Sequence, residues 1–138
     1  MTSLNFYVNR TSTPTSDEAR EEILRNPRFG KNFTDHMVTI EWTEEKGWHD
    51  AQVRPYESIP MDPATTVFHY GQAIFEGIKA YRQPDGSIAT FRPTRNAERM
   101  QRSAERMAMP PLPTEDFLEA VRLLVDVDRD WVPAAGGE

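Results

Sequence analysis

The run Thr34-Asp35-His36-Met37-Val38-Thr39-Ile40-Glu41-Trp42-Thr43 alternates along its length. His36, Val38, Ile40 and Trp42 fall on one side of an extended chain, and Asp35, Met37, Thr39 and Glu41 on the other. Successive strand residues point to opposite faces, so this period of two predicts a half-buried strand. Glu44-Glu45-Lys46-Gly47 supplies a turn, and Trp48 to Arg54 reads as the returning strand, with Ala51 and Val53 inward. Pro55 lacks a backbone donor, which ends that strand or places it at an edge.

Downstream, Ser58 to Thr66 contains two prolines and reads as loop, passing into a short helical turn from Pro63 to Phe68. Ile74 to Arg82 is expected as a third strand. Pro84-Asp85-Gly86 reverses it, and Ser87 to Arg92 pairs back antiparallel. The period then becomes helical, with Ala97, Met100, Ala104 and Met107 at three- and four-residue spacing. Met109-Pro110-Pro111-Leu112-Pro113 is a stiff connector. Thr114 is expected to cap a last helix with Glu115 and Asp116 in its first turn. Phe117, Val121, Leu124 and Val125 give that helix its apolar face, and it ends near Asp130-Trp131-Val132-Pro133.

Upstream, residues 1–15 are rich in Ser, Thr and Asn without periodicity and read as a loose arm. Ser16 can cap a helix from Asp17 to Arg25, which Asn26-Pro27 should end. Strands first and helices after predict an α+β fold, an antiparallel sheet with two main helices packed on one face. The expected division is an arm with a short helix at 1–28, a domain at 29–133 and the start of a linker at 134–138.

Composition narrows the function. The 138 residues suit one domain, yet only 38% are hydrophobic, against ~45–50% in average globular chains. Long solvated segments or a covering partner surface would account for that. A net charge of −6 disfavours a nucleic-acid partner. The chain has no cysteine, which excludes disulfides and thiolate chemistry. No apolar run approaches a membrane span of ~20 residues, and a cytoplasmic location is expected.

Four groups of residues are candidate sites. Arg95, Arg99, Arg102 and Arg106 share one helix face, with Glu98 and Arg102 spaced to pair, as are Gln101 and Glu105. The stripe is either a solvated face or a place where one arginine, Arg95 or Arg99, binds an anion. His69-Tyr70-Gly71-Gln72-Ala73-Ile74-Phe75-Glu76-Gly77-Ile78-Lys79-Ala80-Tyr81 is the second. On strand alternation Phe75, Gly77, Lys79 and Tyr81 share a face, as sheet core or as the wall of an apolar pocket. His36, His49 and His69 lie on separate elements without metal-ligand spacing. Among the lysines, only Lys79 sits where a nucleophile could.

Several blocks resemble the branched-chain aminotransferases. They are Phe33 to Trp42, His69 to Tyr81, Phe91-Arg92-Pro93, Asn96 to Met100, Arg102-Ser103-Ala104 and Asp130 to Pro133, in order from about Phe29. The resemblance concerns the small N-terminal domain of that family. It implies a fold-type IV enzyme using pyridoxal 5'-phosphate to move the amino group of leucine, isoleucine or valine to 2-oxoglutarate. It also implies a homodimer or larger assembly whose Schiff-base lysine lies in a larger C-terminal domain, so this chain alone is expected to be inactive and to hold no catalytic residue.

By position, the resemblance assigns Arg99 to the cofactor phosphate, Phe75 to the substrate pocket, Tyr70 to the pocket of the neighbouring subunit and Phe29 to a further pocket wall. It gives no role to Lys79, Glu76 or Arg92. A D-amino-acid aminotransferase or aminodeoxychorismate lyase of the same fold is the alternative, and a non-catalytic interaction module is another. Asp35-His36-Met37 and Trp131-Val132-Pro133 argue against the first two.

Overall fold

The alternating run forms strand β2 (His36–Thr43), paired antiparallel with β3 (Gly47–Pro55). The computed structural model describes residues 3–134, so most of the expected linker lies outside it. The hairpin is interrupted once. Val38 faces Val53 and Trp42 faces Trp48, with a register shift between Thr39 and Glu41. The pairing gains one residue on β3, where Asp50 has a left-handed φ of 48°. Such a bulge flips the alternation that follows it. Trp48 is thereby brought to the face of Val53, and its indole N–H donates to the carbonyl of Pro111 at 3.0 Å. Ala51 and Val53 are buried, as expected of the inward side of β3.

The loose arm of residues 1–15 is corrected. Phe6–Val8 is strand β1, which adds to β3 in parallel, Phe6 opposite Ala51 and Val8 opposite Val53. The sheet order is β1-β3-β2, so β3 is its central strand. Three residues are too few to display a period, and the pairing is with a strand more than 40 residues away. Polar side chains fix the segment's flanks. The Asp116 carboxylate, fully buried, accepts from the amides of Ser3 (2.9 Å) and Leu4 (3.1 Å) and the hydroxyl of Ser3 (2.5 Å).

Helix α1 (Asp17–Arg25) forms as expected, its amide at Ala19 donating to the Ser16 hydroxyl at 3.3 Å. A short helix α2 (Thr66–Tyr70) follows the proline loop and ends on Gly71 in the left-handed region. The expected strand from Ile74 to Arg82 is mostly not a strand. Only β4 (Ala80–Arg82) pairs, with β5 (Ile88–Thr90), in a separate two-stranded sheet. The turn between them closes through Gly86 N–H to Gln83 carbonyl at 2.9 Å, as Pro84-Asp85-Gly86 dictates.

Helices α3 (Pro93–Arg106) and α4 (Thr114–Val127) pack against each other, and α4 lies on β2 and β3. Ala97 and Ala104 are the buried residues of α3. Small side chains on that face let the helix come close. The cap of α4 differs from expectation. Pro113 takes the cap position, and the Thr114 hydroxyl turns to the Glu115 carboxylate at 3.1 Å. A short 3₁₀ turn, Arg129–Trp131, then buries Trp131. The α+β expectation stands, with one mixed sheet and one hairpin in place of a single antiparallel sheet.

Helix α3 ends in a Schellman turn. Met109 N–H reaches the Ala104 carbonyl at 2.8 Å and Ala108 N–H the Glu105 carbonyl at 3.2 Å. Ala108 therefore adopts φ 53°, a conformation that costs a non-glycine residue about 1–2 kcal/mol. Ala108→Gly should raise unfolding stability by about 1 kcal/mol, less the entropy that glycine adds to the unfolded chain; chemical denaturation checks it.

Candidate functional site

Helix α3 carries the arginine stripe, and its members part company in the structure. Arg95 pairs with Glu98 at 2.7 Å, so Glu98 does not serve Arg102 as its spacing allowed. Gln101 likewise turns from Glu105 and donates to the Leu112 carbonyl at 2.9 Å. Arg99 engages Glu76, 23 residues earlier, through Nε (2.8 Å) and Nη2. Arg102 and Arg106 continue along the same face.

Arg99, Arg102, Ser103 and Arg106 form the polar side of an open cleft of about 500 Å³. Ile74, Phe75 and Met107 form its apolar side. Three guanidiniums and a hydroxyl beside an aromatic ring suit a ligand that joins an anionic group to an apolar body. The geometry thus separates Arg99 from Arg95, which spacing alone left open.

Glu76 is the organising acid, and no periodicity along the chain marks it. Its side chain is only 4% exposed, whereas that of Arg99 is 60% exposed. Oε1 also accepts from Asn96 Nδ2 at 2.8 Å and from the Gly77 amide at 3.1 Å. Asn96 Nδ2 also donates to the Gly77 carbonyl at 2.8 Å. The Arg99 guanidinium, then the Asn96 amide, hold the Glu76 carboxyl at about 2 against the opposing pull of burial. The same pairing raises Arg99 above its ordinary value.

The three aromatics that the resemblance assigns to a pocket do not form one wall. Phe75 is 85% exposed at the arginine cleft, Tyr70 is 84% exposed at the end of α2, and Phe29 is fully exposed. Phe29 instead lines a second cleft of about 580 Å³ with Lys79, Tyr81 and Arg82. The shared strand face of Phe75, Gly77, Lys79 and Tyr81 is not realised, because pairing begins at Ala80.

Each histidine has a hydrogen-bond partner within the chain. His36 Nδ1 lies 2.6 Å from Asp128, His49 Nδ1 bonds the Gly47 carbonyl at 2.9 Å and His69 Nε2 the Pro63 carbonyl at 2.6 Å. No described helix is long and apolar enough to cross a membrane.

No protein-family model matches the chain. Individual relatives do. It is 57% identical over 135 residues to the branched-chain-amino-acid aminotransferase of Mycolicibacterium smegmatis, covering 98% of this chain and 37% of that protein. The Mycobacterium tuberculosis (strain H37Rv) protein of the same name is 53% identical over 136 residues, 99% of this chain and 37% of the relative. Branched-chain-amino-acid transaminase 1 of Bacillus subtilis is 50% identical over 109 residues, 79% of this chain and 31% of the relative. All three relatives are aminotransferases by name, and the chain matches only part of each. The chain is similar along nearly its whole length to branched-chain-amino-acid aminotransferases and spans about 37% of the length of those mycobacterial relatives. The alternatives of the same fold are not favoured.

The Glu76 pairing makes a pH prediction. The carboxyl is lowered from 4.5 to about 2 on folding, so its stabilisation is complete above about pH 4.5 and is lost as pH falls through about 2. Glu76→Gln should flatten the stability profile between those limits while leaving other acid-sensitive contributions; denaturation series from pH 6 to 2 measure the difference.

Proposed function

We propose that this chain is the N-terminal part of an enzyme that transfers the amino group of leucine, isoleucine or valine to 2-oxoglutarate with pyridoxal 5'-phosphate. The identity of over half along nearly the whole chain to proteins named for that activity carries the proposal. The cleft on α3 supports it, since its donors fit a phosphate and its floor fits an aromatic ring.

In this function Arg99 holds the cofactor phosphate, with Arg102, Ser103 and Arg106 adding positive potential and a hydroxyl at the cleft. Pyridoxal phosphate, when bound, supplies the electron sink for the transfer. The chain's part is to bind and orient. Phe75 presents an apolar wall to the substrate side chain and keeps water from it. Tyr70 and Phe29 face outward, as residues do that complete a pocket with a larger C-terminal domain or a second subunit. The working protein is a cytoplasmic homodimer, and its Schiff-base lysine lies in the larger domain. An apolar wall distinguishes one methylene by only ~1–3 kcal/mol, so one site serves all three amino acids.

Two substitutions in the full-length protein test this. Arg99→Ala removes a charged hydrogen bond worth ~1.5–3 kcal/mol, so the dissociation constant for pyridoxal phosphate should rise about 10–100-fold. Undiminished affinity in a titration would exclude Arg99 from the phosphate site. Phe75→Ala should lower kcat/KM for leucine by about tenfold or more while changing that for alanine less. Steady-state rates with both amino acids decide, and an equal loss for the two would remove Phe75 from side-chain selection.

A further inference from the structure

We propose that Glu76 is the positioning residue of this site, fixing the Arg99 guanidinium and the backbone beside Phe75 as one unit. The proposal rests on Arg99 being the phosphate-binding residue. An arginine carries five N–H donors in a planar fork. Glu76 occupies the Nε and Nη2 edge of Arg99. The second edge, Nη1 with the remaining Nη2 hydrogen, stays available, and a phosphate can take it with two parallel bonds. Because the Arg99 side chain is 60% exposed, packing alone would leave it many rotamers. Glu76 selects one, so the ordering is complete before a ligand arrives.

The same carboxylate fixes the apolar side of the cleft. Residues 71–79 have no strand pairing. Between Glu76-Gly77 and α3 there are instead the bonds from Asn96 to the Glu76 carboxylate and the Gly77 carbonyl, and from Arg99 to Glu76. Asn96 and Arg99 are three apart on one helix face, and Phe75 directly precedes Glu76. The stitch therefore sets where Phe75 stands relative to Arg99. Pairing with Glu76 cancels much of the charge on Arg99, but among the described residues Arg102 and Arg106 make no ion pair, so the cleft keeps a positive field.

The test uses the full-length protein freed of cofactor, titrated with pyridoxal phosphate and separately with phosphate-free pyridoxal. Removing an outer partner of a ligand-binding side chain costs about 10–100-fold at metal sites, and a loss of that order is expected here. Glu76→Ala should weaken pyridoxal phosphate by at least about tenfold while pyridoxal changes little. Glu76→Gln, which keeps an acceptor oxygen, should recover part of the loss. Glu76→Ala should add nothing to Arg99→Ala in the double variant, because both act on the same contact. Equal weakening of both ligands, additive losses, or an unchanged or tighter affinity in Glu76→Ala would overturn the proposal. If Glu76→Ala does not fold, Glu76→Gln carries the same comparisons. If Arg99→Ala leaves the ratio of the two affinities unchanged, the phosphate role of Arg99 fails, and the proposal with it. If Arg99→Ala changes that ratio and Glu76→Ala does not, only the role of Glu76 fails.

Discussion

His36 is bonded at both ring nitrogens, and distant parts of the chain meet there. The Thr11 amide can only donate, so its 2.9 Å contact requires Nε2 to accept. The proton then sits on Nδ1 and points at Asp128 Oδ1, 2.6 Å away. The other oxygen of Asp128 accepts from the His36 amide at 3.1 Å. One buried pair thus joins the segment after β1, the start of β2 and the end of α4. A neighbouring tie does similar work. Asp35 accepts from the amide and hydroxyl of Thr15 and from the Trp131 indole at 3.0 Å. Burial pushes the Asp35 carboxyl up, and those bonds bring it below its ordinary value.

These polar ties matter because the apolar core is slight. Its fully buried residues are small: Ala51, Val53, Ala97 and Ala104, with Trp131 nearly so. Packing of that kind lets β3, α3 and α4 approach closely but removes little surface from water. Carboxylates with every oxygen engaged give directional contacts that small side chains cannot. Asp116, Asp128 and Asp35 each engage partners from distant parts of the chain.

The candidate site uses the same device on a more exposed surface. Glu76 fixes Arg99 without burying it, and leaves an arginine-lined cleft beside a bare phenylalanine. Phe29, Tyr70 and Phe75 all lie open, which suits surfaces that meet another part of an assembly. A chain spanning about 37% of its relatives' length can present half of a site in this way.

The sequence by itself determined what is local. The strand within 34–43, the Ser16 cap, the Pro84-Asp85-Gly86 turn and the apolar spacing of Ala97 and Ala104 each act within a few residues, and each appears in the fold, although Trp42 near the end of that strand is exposed. Its kinship was legible as well, since whole blocks such as 69–81 carry it. Only the tertiary structure decided the rest. It made Phe6–Val8 a parallel strand, denied pairing to residues 74–79, and paired Arg99 with Glu76 while Arg95 took Glu98. Those outcomes depend on partners 23 to 113 residues apart in sequence. A hydrogen bond over such a span leaves no period in the chain, so its acceptor becomes visible only once the fold has brought the two ends together.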